Sequence, residues 1–309
     1  MDLTRRITDV WAGVNSISNW DQHHFDWTKA YVASVFAKIA YLHIPQYELK
    51  NANRANLIPC MEYREIIRRS RGGSVDQVLI DSDFGEFFVV EKPYALAVVV
   101  RVRDVLFISL RGTQQLYDWL VNLNVSRSRP YADVDVDIFF HKGFHRAAAS
   151  CMYEIHAEIL KRYGKDSIIY VTGHSLGGAL AAILHALWCR GSMNRQHIGC
   201  YPWAECLATH SCYTFGMPRY GNFHAVEHFA NPFHIYNQFD TVPAVPPKVL
   251  GFDDSLIEYC LTAEGKVDGS CHRSSSFSRF IIRLATLKAI REHDMEIYMD
   301  RTKRVSNVD

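Results

Sequence analysis

The sequence points to an α/β fold in which a mostly parallel central sheet carries helices on both faces. Three observations lead to it. Strand-like and helix-like segments follow one another in strand, helix, strand order along most of the chain. The strand-like runs are rich in Val, Ile and Phe and are broken by turns containing Asp, Gly or Pro. Several of them, 168–172 above all, are nearly continuous in apolar character, as strands covered on both faces are.

Taken in order, residues 1–70 read as helices and loops. Within them 30–41 places Val32, Val35, Phe36, Ile39 and Ala40 at three-and-four spacing on one helical face. Strands are expected at 77–80, 87–91, 95–102 and 105–110. A long helix follows at 143–163, with Phe144, Ala148, Cys151, Ile155 and Ile159 on one face and Gly164 as its stop signal. Then come a strand at 168–172, a helix of small residues at 176–190, and strands at 212–215 and 233–238. The stretch 249–279 yields no assignment. No repeat and no Pro/Gly/Ser-rich linker divides the chain, so residues 1–309 are expected to form one domain, although a prior of roughly 150 residues per domain would allow two.

Composition excludes several classes. A hydrophobic fraction of 48% against 22% charged residues rules out disorder as the main description. Lys+Arg 34 against Asp+Glu 33 gives a formal charge of +1, too balanced for the broad basic field that nucleic-acid binding leans on, so no nucleic-acid partner is expected. No apolar run approaches the ~20 residues that span a bilayer. The first residues lack the unbroken apolar stretch of a secretion signal, which leaves a cytoplasmic location or signal-less secretion. The eight cysteines are sparse and expected to be mostly reduced, buried thiols; Cys200, Cys206 and Cys212 recur every six residues without a CxxC pair. The fifteen histidines are scattered, and no metal site is expected.

The informative stretch is 168–180, where an apolar strand runs into Gly173-His174-Ser175-Leu176-Gly177-Gly178 and continues as a helix. That is the setting of a nucleophile elbow, in which a cramped strand-to-helix turn exposes the Ser175 hydroxyl and only glycine fits at the flanks. The small residues Gly178, Ala179, Ala181 and Ala182 let the helix lie close to the sheet, and its N-terminus favours developing negative charge. A serine nucleophile needs a base, and the base needs an acid, in the chain order Ser, Asp or Glu, His. The carboxylates downstream include Glu205, Glu227, Asp240, Asp253, Asp254, Glu258 and Asp268; Asp240 stands out because it follows an apolar strand and precedes the turn Thr241-Val242-Pro243. Only His272 and His293 come after it, and His293 lies at the head of the last helix whereas His272 sits in a Ser-rich stretch. An oxyanion hole requires two backbone N–H donors: Leu176 after the nucleophile, and Thr113 in the Gly-containing turn after strand 105–110. Arg111 is expected to be structural. This chemistry requires no metal or organic cofactor.

Four segments together resemble the class 3 lipase family, the fungal-type triacylglycerol lipases with relatives in bacteria and plants. They are Leu110-Arg111-Gly112-Thr113 with Asp118-Trp119, His141-Lys142-Gly143-Phe144, Thr172 to Gly178, and Asn237-Gln238-Phe239-Asp240-Thr241-Val242-Pro243. His293 with Tyr298 is similar to the family's C-terminal histidine segment. The resemblance implies an α/β hydrolase fold, Ser175, Asp240 and His293 as triad, Thr113 and Leu176 as oxyanion donors, and a short helical lid at 114–125. There Leu116, Trp119, Leu120 and Leu123 form an apolar stripe suited to covering an acyl pocket or meeting a transient lipid–water interface, although an ordinary packed helix would show the same stripe. Ser126-Arg127-Ser128-Arg129-Pro130 beside it reads as a solvated turn or a contact for anionic headgroups. The activity implied is cleavage of acylglycerol lipid esters through an acyl-enzyme. The alternatives are a carboxylesterase or phospholipase A1, or a lipid-binding protein without turnover.

Overall fold

The computed structural model describes residues 3–42, 84, 86–112, 125–130, 136–188, 207–268, 291–306 and 308. One eight-stranded sheet organises them, in the order β1-β2-β3-β6-β7-β8-β9-β10. β1 (Phe87–Lys92), β2 (Ala95–Val102) and β3 (Val105–Leu110) form an antiparallel meander. β6 (Ile168–His174), β7 (Ser211–Phe215), β8 (Phe233–Asn237) and β9 (Glu258–Leu261) then add in parallel, and β10 (Val267–Asp268) closes the edge antiparallel. A separate two-strand ladder joins β4 (Arg127–Ser128) to β5 (Phe140–His141).

Side chains alternate between the two faces with the period of a strand. On β2 and β3, Ala97, Val99, Leu106, Ile108 and Leu110 enter one core with the helices α3 (Lys142–Tyr163) and α4 (Leu176–Trp188). Leu96, Val98, Val100, Val105 and Phe107 enter the other, beneath α1 (Leu3–Ser16), α2 (Trp27–Ile39) and α6 (Met295–Val305). Both cores bury apolar residues of β2, β3, β6 and β7, which is why those runs read as continuous rather than alternating.

α2 begins earlier than its apolar spacing indicates, because Asp26 caps it by accepting hydrogen bonds from the Thr28 and Lys29 amides. α3 ends at Gly164, as expected, with φ +79. The helix α5 (Phe223–His228) and strands β9 and β10 fall in segments the sequence left unassigned. Glu258, one of the downstream carboxylates, lies on β9 and accepts from His234 at 3.1 Å. The expectation of mostly reduced thiols holds for Cys151 and Cys212, which are free and buried, and fails for Cys260, which is disulfide-bonded. The expected strand at 77–80 lies outside the described residues. No described helix is long and apolar enough to cross a membrane.

α6 is fixed from outside by charge pairs. The buried Arg6 of α1 reaches Asp300 at 2.8 Å and Glu296 at 3.2 Å, and Lys303 reaches Asp9 at 2.7 Å. Asp9 also accepts from the Tyr31 hydroxyl at 2.6 Å. These bonds lock the helix that begins two residues after His293, and so bear directly on the site.

Candidate active site

Ser175 stands between β6 and α4 with φ +57, one of two non-glycine residues at positive φ among the described residues, the other being Arg103 in the β2–β3 turn. A non-glycine side chain in this region stores strain, and the surroundings hold it there. The Ser175 amide donates to the Phe215 carbonyl at 2.9 Å. A Cβ on Gly173 would collide with the Gly177 carbonyl, and one on Gly177 with the Leu110 carbonyl and, at 2.7 Å, with Gly112 N. The glycines are therefore fitted against backbone, which cannot yield as a flexible side chain can. Gly178 lies against Met217, so α4 sits close enough to β6 and β7 for its N-terminus to face the turn.

Asp240 follows β8 in a turn, and His293 precedes the N-cap residue Asp294 of α6. The two meet although 53 residues separate them: His293 Nδ1 lies 2.7 Å from Asp240 Oδ2. The carboxylate is held from two further directions. The Val242 amide donates to Oδ1 at 2.9 Å and the Tyr298 hydroxyl to Oδ2 at 2.6 Å. Burial, reinforced by the Asp240 charge, pushes the Tyr298 phenol well above its ordinary range, so it stays protonated and remains a donor. Tyr298 in turn accepts from the Asn237 amide at 3.1 Å, tying α6 to the end of β8.

His293 is held by its backbone as well. His174 Nε2 lies 2.7 Å from the His293 carbonyl oxygen, and the Tyr41 hydroxyl lies 3.0 Å from His174 Nδ1. Burial and the neighbouring His293 hold His174 well below the usual imidazole range. A neutral ring must donate from Nε2 to the carbonyl and accept at Nδ1 from the tyrosine, which fixes its tautomer. The Glu292 carbonyl accepts from Asn237 Nδ2 at 2.7 Å, while its carboxylate takes a two-pronged bond from Arg301 at 2.6 and 3.0 Å. Residues 292 and 293 are thus pinned on both sides.

Besides the Asn237 side-chain oxygen, two polar atoms of the candidate catalytic residues are left without a partner within this closed site. Ser175 Oγ and His293 Nε2 are both shielded from solvent, and neither has a hydrogen-bond partner among the described residues. Ser175 adjoins His174, whose ring centroid is 4.5 Å from that of His293. Gly216, one residue beyond the Phe215 carbonyl that accepts from Ser175, has φ +54. A Cβ there would stand 2.6 Å from Asp240 Oδ2, 2.8 Å from the Tyr298 hydroxyl and 3.2 Å from His293 Cε1. Three segments remote in sequence therefore converge around one glycine.

The structure brings Ser175, Asp240 and His293 into one neighbourhood and places Leu176 at the first position of α4. Thr113, Leu116, Trp119, Leu120, Leu123 and nearly all of the expected lid lie outside the described residues, as does His272. Asp253 and Asp254, the rival acids, are engaged elsewhere, Asp253 with Lys248 at 2.6 Å and Asp254 with Arg219 at 2.7 Å. The supporting roles of His174, Gly216, Asn237 and Arg301 are not foreseen from the sequence. Gly216 carries a signal there as a glycine directly after a strand, and His174 and Asn237 lie inside segments quoted for the family resemblance.

Residues 107–250 match the model of the family described as lipase (class 3). Among curated proteins, the chain is similar to a secreted mono- and diacylglycerol lipase of Fusarium solani, 28% identical over 52% of this chain and 44% of that protein. It is also similar to a lipase of Rhizomucor miehei, 31% identical over 51% of this chain and 42% of that protein. The matches thus span less than half the length of each relative. Among solved structures, the Rhizomucor miehei lipase propeptide complex superposes with a TM-score of 0.50 and 23% identity, covering 70% of this chain and 71% of that one. The fold is that of the α/β hydrolases. Over the matched segment, residues 107–250, the chain is similar to the class 3 lipase family.

Proposed function

We propose that the protein is a serine-dependent carboxylic ester hydrolase acting on acylglycerol lipids through an acyl-enzyme. The observation that carries this reading is the buried Asp240–His293 pair with His293 Nε2 unpaired, its ring 4.5 Å from that of His174, the neighbour in sequence of a serine held at φ +57. In this reading Ser175 Oγ attacks the ester carbonyl while His293 Nε2 takes its proton. Asp240 holds the imidazole with Nδ1–H directed at the carboxylate and stabilises the imidazolium that forms. The proton then passes to the leaving alcohol, and water repeats the sequence on the acyl-enzyme. The Leu176 and Thr113 amides would receive the oxyanion, each donor supplying on the order of 3 kcal/mol. The acylglycerol preference rests on the named relatives and the family match. A single catalytic unit is supported by two cores that share one sheet.

A fluorophosphonate probe, with p-nitrophenyl esters and emulsified acylglycerols assayed beside phospholipid vesicles, tests the proposal. The expected result is an adduct at Ser175, loss of hydrolysis in Ser175→Ala with an unchanged melting curve, and faster turnover of acylglycerol than of phospholipid. Full activity in Ser175→Ala would overturn the catalytic assignment. Absence of any adduct would leave a lipid-binding protein, and preference for phospholipid or monomeric esters would replace the substrate class.

A further inference from the structure

Away from the site above, the short helix α5 gathers three metal-binding side chains. His224, Glu227 and His228 occupy positions i, i+3 and i+4, so all three project from one turn. One ligand-capable atom from each lies within 4.8 Å of the others. His224 Nδ1 is 3.7 Å from Glu227 Oε2, and it is covered yet has no hydrogen-bond partner among the described residues. His228 Nδ1 lies 2.9 Å from the His224 carbonyl. That contact makes Nδ1 the protonated nitrogen and turns the Nε2 lone pair outward, the arrangement that orients a metal-bound histidine.

The helix carrying these groups is rigidly seated. Asn222 caps it through the Ala225 amide at 3.0 Å, and the same side-chain oxygen accepts from the Phe139 amide at 3.1 Å. Asn222 Nδ2 donates to the Asp137 carbonyl at 2.5 Å, and Ala225 and Val226 are fully buried in the core. The backbone is therefore fixed while the side chains of His224 and Glu227, 44% and 51% exposed, can still adjust. Around tetrahedral zinc with bonds near 2.1 Å, ligand atoms stand about 3.4 Å apart. Closing from 4.8 Å to that spacing takes only small rotations of exposed side chains.

We propose that His224, Glu227 and His228 form a surface site for a borderline divalent transition metal, Zn2+ being the occupant the two imidazoles and one carboxylate suit. Three protein ligands leave the fourth position open to water. The site is independent of the hydrolase reading, since none of its residues belongs to the Ser175 neighbourhood.

Calorimetric titration of the purified full chain with zinc chloride tests this, with Co2+ absorption reporting ligand number. The wild type should show one saturable site, and zinc should raise its melting temperature. His224→Ala and His228→Ala should each lose at least about tenfold in affinity, since even outer-shell changes cost that much. Glu227→Gln should weaken binding less, and His224→Gln, which keeps the helix and much of the bulk, should match His224→Ala. No saturable binding, or equal binding in a His224→Ala/His228→Ala double variant, overturns the site; the latter would place the ion on other histidines.

Discussion

Replacing Gly216 by alanine adds one methyl group to the centre of the site without removing any functional group. The backbone there has φ +54, where an L-residue is disfavoured by about 1–2 kcal/mol. The new Cβ would stand 2.6 Å from Asp240 Oδ2 and 2.8 Å from the Tyr298 hydroxyl, distances real Cβ atoms do not sustain. Those two atoms are already joined at 2.6 Å, and Oδ2 also bonds His293 at 2.7 Å, so relief requires breaking a bond to a charged group, about 1.5–3 kcal/mol. The total is about 2.5–5 kcal/mol, and the part that displaces the carboxylate from His293, about 1.5–3 kcal/mol, should lower kcat/KM by roughly 10- to 150-fold. Gly164→Ala is the matched control. It has φ +79 and nothing within 4 Å of the position an added methyl would take, so it should lose about 1–3 kcal/mol of stability through the backbone alone. Thermal melting and p-nitrophenyl ester kinetics on both variants separate the two effects. Both should melt earlier, and only Gly216→Ala should lose turnover. Wild-type kcat/KM in Gly216→Ala, or an equal activity loss in Gly164→Ala, would mean that crowding at residue 216 does not govern the acid–base pair.

Tyr298→Phe removes the hydroxyl that donates to Asp240 and accepts from the Asn237 amide. It should lower stability by about 2–4 kcal/mol and reduce kcat roughly tenfold with KM little changed; unchanged melting and kinetics would count against the role given to this tyrosine. Burial lowers the His185 imidazole to about 3, from an ordinary 6.5 in the unfolded chain. Between these values the unfolded chain binds a proton that the folded protein refuses. Stability is therefore full above pH 6.5 and falls as the pH drops toward 3, by at most about 1.4 kcal/mol per pH unit for this group. His174 adds a contribution of the same sign. Denaturant titrations between pH 4 and 7 should show the slope, and His185→Gln should reduce it; a slope that persists undiminished would assign the acid sensitivity elsewhere.

Ser175 is legible in the sequence because a nucleophile elbow is a local device: strand, glycines, serine and small-residue helix all lie within residues 168–182. Asp240 and His293 are legible less directly, through chain order and their positions beside a strand end and a helix start. The metal cluster escapes notice because His224, Glu227 and His228 read as scattered polar residues until the segment is known to be helical. β9 escapes because its four residues follow no strong pattern, and its place in the sheet comes from pairing with β8.

The alternation of strands and helices, the double burial of the sheet and the strained serine are all written into the chain itself, since each follows from patterns within a few residues of one another. Which groups hold the candidate acid and base in place is settled at a higher level, by the folded arrangement. Tyr41, His174, Gly216, Glu292, Tyr298 and Arg301 meet because the parallel neighbours β6, β7 and β8 carry their C-terminal ends on the same side, where α6 begins, and contacts between such distant segments leave no periodicity in the chain. Hydrogen bonds and close packing depend on position in space, and that position exists only once the sheet has formed.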